Sequence, residues 1–99
     1  MIRITYTEDA AQDLEEIYRH IAQDNPDAAE RHREKLKQRC ESLTHQPRMG
    51  RKRDEIRPEY RSVSEGDYII LYRVVAEDTL AIMRVIHGKR DFRRLTFTD

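Results

Sequence analysis

Hydrophobic positions near the N-terminus first alternate with polar ones and then take up a helical spacing. Ile2, Ile4 and Tyr6 alternate with polar residues, which predicts a short, half-buried strand. Thr7 suits a helix N-cap, because its hydroxyl can accept a hydrogen bond from a free N–H of the first turn. The apolar residues that follow recur every three or four positions, which predicts one apolar face on a helix ending near Gln23. They are Ala10, Ala11, Leu14, Ile17, Tyr18 and Ile21.

A second helical pattern begins after a very short connection. Asn25 suits an N-cap, and Pro26 suits the first helical position, where no N–H is needed. A thinner apolar face then continues to about Thr44. It consists of Ala29, His32 or Arg33, Leu36, Cys40 and Leu43. A connection this short predicts that the two helices run antiparallel and in contact.

The C-terminal half contains three segments typical of strands. Residues 46–59 show little periodicity, so they predict a loop with one extended stretch at 55–57. Strands are predicted at 60–63, 67–75 and 79–87, joined by connections of hairpin length. The middle strand is apolar on both faces, which is typical of a central strand with both faces covered. Residues 88–99 predict a basic tail that forms a last helical turn or a flexible arm.

The element order β-α-α-β-β-β predicts an α+β fold in one domain, residues 1–99, whose residues 88–99 form the tail. A two-helix antiparallel hairpin is expected to pack on one face of a mostly antiparallel four-stranded sheet. The other face is then expected to be partly open. By alternation Arg73 shares a face with Leu71, and Arg84 shares one with Ile82 and Ile86. An arginine in a central strand needs water, a carboxylate or a ligand for its guanidinium.

Composition refines this fold prediction. Hydrophobic residues make up 37% and charged residues 38% of the chain, a balance that also raises the alternative of disorder. The sharp periodicity favours a folded domain with a highly charged surface. Cys40 is the only cysteine, which excludes an intrachain disulfide and is consistent with a reducing compartment. No signal segment is evident, and no apolar run approaches roughly 18 residues, so we expect a cytoplasmic protein without membrane contact.

Charge is strongly segregated along a chain of zero net charge. Residues 1–30 carry eight acids and two arginines, a balance of −6, whereas residues 31–62 carry eleven basic residues and five acids, a balance of +6. A basic middle third can attract nucleic acid or an acidic protein segment. The alternative is a solvated helix face followed by a solvated loop.

Few residue patterns in the chain indicate chemistry. Its four histidines (His20, His32, His45, His87) lack metal-ligand spacing, so we expect neither a metal nor another cofactor. Cys40 lies on the apolar helix face and reads as a core thiol. The remaining set could hold phosphates, with a histidine as acid or base for attack of a ribose hydroxyl, or could bind a partner's carboxylates or carbonyls. It consists of Arg61, Arg73, Arg84, His87, Lys89 and Arg90.

Six segments between about residues 2 and 91 carry a resemblance to a known family. They read AQDLEEIYRHIA, NPDAA, LTHQPRMGR, PEYRS, YIILYR and RVIHGKRD. In this order and spacing they resemble the ParE branch of the RelE/ParE toxin superfamily. The resemblance implies the toxin half of a type II toxin–antitoxin pair. It also implies neutralisation by a ParD-like antitoxin in a hetero-oligomer, a heterotetramer or larger.

The resemblance leaves the target of the toxin open between two alternatives. ParE-like toxins are associated with inhibition of DNA gyrase, which makes the protein an inhibitor rather than an enzyme and lets it meet DNA only through gyrase or the antitoxin. RelE-like relatives instead cut mRNA on the ribosome, here with Arg61, His87, Lys89 and Arg90. No tyrosine follows Tyr72 to stack on a substrate base, so gyrase inhibition is favoured. A nontoxic binding module is the third class.

Two sets of binding residues follow as expectations. The target-binding set consists of Arg48, Arg51, Lys52, Arg53, Arg61, Lys89 and Arg90. The antitoxin-binding set consists of Leu14, Ile17, Tyr18, Ile21, Leu36, Cys40, Arg73 and Arg84.

Overall fold

The computed structural model describes residues 2–90 and 92–97. Met1 and three residues of the predicted tail, Asp91, Thr98 and Asp99, lie outside the described residues. The elements are β1 (Arg3–Tyr6), α1 (Glu8–Ala22), α2 (Pro26–Ser42), β2 (Arg51–Lys52), β3 (Arg61–Glu65), β4 (Tyr68–Ala76), β5 (Thr79–His87) and a 3-10 turn (Phe92–Arg94).

Both helices begin at the predicted caps. The Thr7 hydroxyl accepts from the Ala10 N–H at 3.1 Å and donates to the Met83 carbonyl at 3.0 Å. The Asn25 side chain accepts from the Ala28 N–H at 3.0 Å, and Pro26 follows as the first helical residue. The predicted antiparallel hairpin is confirmed. Neither helix is long and apolar enough to cross a membrane, as far as the described residues extend.

The sheet has the order β1-β5-β4-β3-β2, with β1 parallel to β5 and the other neighbours antiparallel. The α+β class is confirmed, but the predicted count of four strands is wrong, because β2 adds a fifth at one edge. The predicted extended stretch at 55–57 is also misplaced. Those residues lie in a turn closed by the Ile56 N–H on the Arg53 carbonyl at 2.9 Å. Within residues 46–59, Arg51 and Lys52 are the two that pair with β3, and two charged residues leave no strand signal in a sequence.

The helices cover one sheet face and build the main core. Its largest buried side chains include Leu36, Leu43, Ile70, Tyr72 and Ile82. The opposite face carries Leu71 and Ile86, over which the buried Leu95 of the tail packs. The prediction of a partly open second face is therefore wrong at this end of the sheet. Covering these apolar side chains with the tail removes apolar surface from water, which is favourable in free energy.

An extra residue in β5 changes which side chains share a face. Arg84 lies opposite Leu71, but Ile82 lies opposite Tyr72, so Met83 is a one-residue bulge. As a result Ile82 packs with the helices, whereas Ile86 packs on the opposite face. The prediction that Arg84 shares one face with both is wrong, because strict alternation does not continue through a bulge.

Candidate functional site

A groove of about 450 Å³ runs between α1 and α2, with Tyr6 of β1 at one end. We call it the hairpin groove. The six uncharged members of the predicted antitoxin-binding set all line it, brought together by the facing stripes of the two helices. They are Leu14, Ile17, Tyr18, Ile21, Leu36 and Cys40. An apolar groove between two helices, open to solvent, is suited to the apolar face of a partner segment.

The rims of the hairpin groove carry opposite charges. Glu15 of α1 lies on one side, and Arg33 and Lys37 of α2 lie on the other. Arg33 is held in place, because its guanidinium lies 3.7 Å from the centre of the Tyr18 ring. The Tyr18 hydroxyl in turn donates to the Glu30 carboxylate at 2.9 Å, which links the two helices across the groove.

Cys40, Tyr6 and His32 bring polar atoms to the lining of the hairpin groove. Cys40 is only 1% exposed, and this burial raises the pKa of its thiol to about 11. Burial, followed by the neighbouring Cys40, also raises the pKa of the Tyr6 hydroxyl. His32 packs edge-on against Tyr68 at 5.0 Å. In the described part of the chain, its Nδ1 is one of two buried side-chain atoms without a hydrogen-bond partner.

Arg84, the first of the two arginines assigned to the antitoxin, lies outside the hairpin groove. Its Nε and Nη2 donate to the two carboxylate oxygens of Asp13 in α1, at 2.7 and 2.9 Å. The hydrogen bond with Asp13 raises the pKa of Arg84, while burial acts in the opposite direction. Asp13 also accepts from the Val85 N–H at 2.9 Å, so its carboxylate satisfies a backbone donor of β5 as the carbonyl of a neighbouring strand would. Sequence analysis missed Asp13, although an acid between Ala10 and Ile17 on the apolar face was a usable signal.

Arg73, the second of these arginines, lies on the sheet face away from the helices. It is opposite Ala81 in the register, and its buried Nε is the second atom without a hydrogen-bond partner among the described residues. The structure therefore separates both arginines from the six residues of the hairpin groove.

The residues predicted to bind the target divide into exposed and structural ones. Arg48, Arg51 and Lys52 are exposed around β2, and we call them the β2 basic patch. Arg53 is half-buried, because its Nε donates to the Ser62 hydroxyl at 2.8 Å and its Nη1 pairs with Glu55 at 3.3 Å.

Arg61 also serves the local structure. Its Nη1 donates to the carbonyls of Arg48 and Gly50, both at 3.0 Å, and thereby holds the chain that enters β2. Lys89 and Arg90 are exposed just after β5. Arg90 shares a depression with Arg57, whereas Arg61 shares another with Arg48. The predicted target-binding set is thus spread over two places.

Of the four residues named for mRNA cleavage, Arg61 lies apart from His87, Lys89 and Arg90, which follow one another at the end of β5. Arg61 lies opposite Tyr72 and His87 lies opposite Tyr68. Four residues along β4 correspond to roughly 13 Å, in addition to the separation across the sheet. A general base must come within hydrogen-bond reach of the proton it removes. At this spacing His87 and Arg61 cannot both contact the same phosphate group. Within residues 2–90 and 92–97, no three His, Cys, Asp or Glu side chains are grouped as metal ligands would be.

Comparison with known proteins decides the family. Residues 4–92 match the family model described as the ParE toxin of the type II toxin–antitoxin system, parDE. The chain belongs to the ParE toxin family. The resemblance seen in the six sequence segments is confirmed, and the toxin class it implied holds for this chain.

Individual ParE relatives agree with this assignment. Toxin ParE1 of Mycobacterium tuberculosis (strain ATCC 25618 / H37Rv) is 40% identical over 68 residues, 69% of each chain. Toxin ParE3 of Caulobacter vibrioides is 29% identical over 90 residues, 90% of this chain and 89% of the relative. A solved structure titled "Chromosomal ParDE TA system from P. aeruginosa" superposes with a TM-score of 0.76. At 22% identity, over 90% of this chain and 98% of the other, it shows the same fold.

Proposed function

We propose that this ParE-family toxin inhibits DNA gyrase in the cytoplasm and thereby blocks replication. A ParD-like antitoxin neutralises it by placing an apolar segment in the hairpin groove, in a heterotetramer or larger assembly. The observation that carries the neutralisation is the groove itself, whose largely apolar lining and charged rims are left uncovered by residues 2–90 and 92–97. DNA is met only through gyrase or through the antitoxin.

The charges on the rims of the hairpin groove give the antitoxin proposal a sharp test. Lys37→Glu places an acid on the basic rim, whereas Lys35→Glu makes the same change at an exposed position of α2 outside the groove. We expect the first variant to bind a ParD-like antitoxin about tenfold more weakly. The second should bind within about twofold of the unchanged protein, and calorimetry measures both. Equal effects of the two variants would contradict the proposal.

Hydrogen exchange tests the same proposal without a substitution. Amides of α1 and α2 that border the hairpin groove should gain protection when the ParD-like protein binds. Protection confined to residues 53–60, which connect β2 and β3, would place the antitoxin outside the hairpin groove. Light scattering on the same complex gives its stoichiometry.

Two observations support gyrase over the ribosome as the target. Membership of the ParE family is the first. The second is the distance between Arg61 and His87, which keeps one predicted phosphate-binding residue of the mRNA-cleavage alternative away from its acid–base group. The β2 basic patch, with Lys89 and Arg90, supplies exposed positive charge for a complex that contains DNA.

Charge reversal in the β2 basic patch tests the target. Arg51→Glu together with Lys52→Glu changes two exposed side chains, whereas Arg53 is avoided because it supports the fold. The double variant should lose growth arrest on induction and inhibition of supercoiling by purified gyrase. Arg31→Glu with Lys35→Glu, exposed on α2, is the control with the same charge change and should keep both activities. Unchanged arrest in the β2 variant, or ribosome-positioned mRNA cleavage, would contradict the proposal.

A further inference from the structure

The C-terminal strap (residues 92–97) lies across the sheet face opposite the helices. Leu95 is only 9% exposed and packs with Leu71 and Ile86. Phe97 meets the Tyr60 ring edge-on at 5.2 Å. Arg90 lines one depression together with Phe92, Leu95 and Phe97 of the strap, and Lys89 is its neighbour in the chain, so the position of the strap bears on where these two exposed cations lie.

Besides these apolar contacts, a buried guanidinium links the strap to the rest of the molecule. Nη1 of Arg84 donates to the Thr96 carbonyl at 2.7 Å, and the Nε and Nη2 edge of the same group is fixed on Asp13. A planar guanidinium can bind in two directions at once, whereas the ammonium of a lysine is a single point of charge. Arg84 therefore connects α1, β5 and the strap through one buried group, 7% exposed.

We propose that Arg84, oriented by Asp13, is a positioning residue that seats the C-terminal strap and so presents Lys89 and Arg90 to the target. The part that concerns the target rests on the proposed function. The seating of the strap does not, because it is a property of the isolated chain. The hairpin groove lies on another side of α1, so antitoxin binding should not depend on the strap.

The conservative variant Arg84→Lys tests this assignment. The lysine keeps a positive charge beside Asp13, which leaves no buried carboxylate unpaired, but it cannot also hold the Thr96 carbonyl. We expect the Leu95 N–H, which donates to the Phe92 carbonyl, to exchange roughly tenfold faster. Growth arrest and gyrase inhibition should fall at least about fivefold, while affinity for the ParD-like protein stays within about twofold. Arg3→Lys, at an exposed arginine of β1, is the matched control and should change none of these values.

A second variant keeps the test decisive if Arg84→Lys does not fold. Leu95→Ala loosens the strap from its apolar side and leaves the Arg84 pair intact, so it should reproduce the same three results, with exchange followed at the N–H of position 95 and corrected for the intrinsic rate of alanine. Faster exchange with undiminished gyrase inhibition would overturn the role of the strap at the target. Loss of antitoxin binding in parallel would overturn it too, since the effect would then be global. If the unchanged protein does not inhibit gyrase, the proposed function is wrong. Unaltered exchange of the Leu95 N–H in Arg84→Lys would separately show that Arg84 does not hold the strap in place.

Discussion

Gly50 lies just before β2 and is closely surrounded by neighbouring atoms, although its sequence neighbourhood is typical of an open loop. Its N–H donates to the Tyr72 hydroxyl at 2.9 Å, and its carbonyl accepts from Arg61. A Cβ built here would lie 2.5 Å from that hydroxyl and 2.9 Å from the Ser62 carbonyl. The requirement for glycine is therefore one of space, since a buried tyrosine of the central strand closes over the chain.

Gly50→Ala should lower the free energy of unfolding by about 2–3 kcal/mol, because the added methyl forces the Tyr72 hydroxyl away from its partner. Urea denaturation measures the change. Gly88→Ala is the matched control, since a Cβ there would come no closer than 3.4 Å to the Asp67 carbonyl and 3.6 Å to Ile69, which are ordinary contacts. We expect less than about 1 kcal/mol for the control. Equal losses would show that the contact with Tyr72 does not limit position 50.

The Cys40 thiol should be inert at neutral pH. Because burial raises its pKa to about 11, the rate of alkylation by iodoacetamide should climb about tenfold per pH unit between pH 8 and 10. The thiol's contribution to stability is present below its usual pKa of 9.0 and is lost as the pH rises towards 11. The same protein unfolded in urea is the reference. A plateau of the folded rate near pH 9 would contradict the raised pKa.

At the scale of elements, the two N-caps differ in what they hold. Asn25 satisfies one N–H of α2, whereas the Thr7 hydroxyl caps α1 and also donates to the Met83 carbonyl at the β5 bulge. Thr7 thus fixes the start of α1 against the sheet. The cap could be predicted from the sequence, but the bond to Met83 could not, because it depends on a bulge 76 residues away.

Thr7→Ala should therefore destabilise the protein more than Asn25→Ala. We expect about 2 kcal/mol for the first and about 1 kcal/mol for the second, from thermal or urea unfolding. Thr7→Ser keeps the hydroxyl and should recover most of the loss. If the two alanine variants lose equal stability, the bond to the Met83 carbonyl contributes nothing measurable.

The elements that sequence patterns predicted well are those whose signal is local. The caps at Thr7 and Asn25 and the apolar stripes of the helices depend on neighbours within a few residues, and these stripes also predicted six residues of the hairpin groove. β2, the Met83 bulge and the strap depend on contacts made across the sheet. Asp13 and Arg84 were each visible in the sequence, but their pairing needed the fold to bring positions 71 residues apart together.

At the scale of the whole molecule, the sheet separates the surface proposed to bind the antitoxin from the surfaces proposed to bind the target. The hairpin groove lies on the helix side, while the strap lies across the opposite face and the β2 basic patch lies at the sheet edge. An antitoxin in the groove can therefore contact α1 without touching the strap directly. Arg84 is the group that reaches both α1 and the strap.

A substitution of His87 can distinguish the two proposed targets, because an acid–base role for this histidine is required only by the mRNA-cleavage alternative. Its side chain is exposed at the end of β5, and Nδ1 accepts from the Lys89 N–H at 3.2 Å. His87→Gln keeps an acceptor for that N–H and removes the acid–base group. We expect growth arrest and gyrase inhibition to stay within about twofold of the unchanged protein, as measured by colony counts and a supercoiling assay.

An mRNA-cleaving toxin would behave differently under the same substitution. Loss of a general acid or base lowers a rate by about 10²–10⁴-fold, so growth arrest would collapse while the fold remained intact. Circular dichroism and binding of the ParD-like protein serve as the controls for folding. Because Arg61 lies about four residues of β4 away from His87, we expect no such collapse, and observing one would replace gyrase with the ribosome as the target.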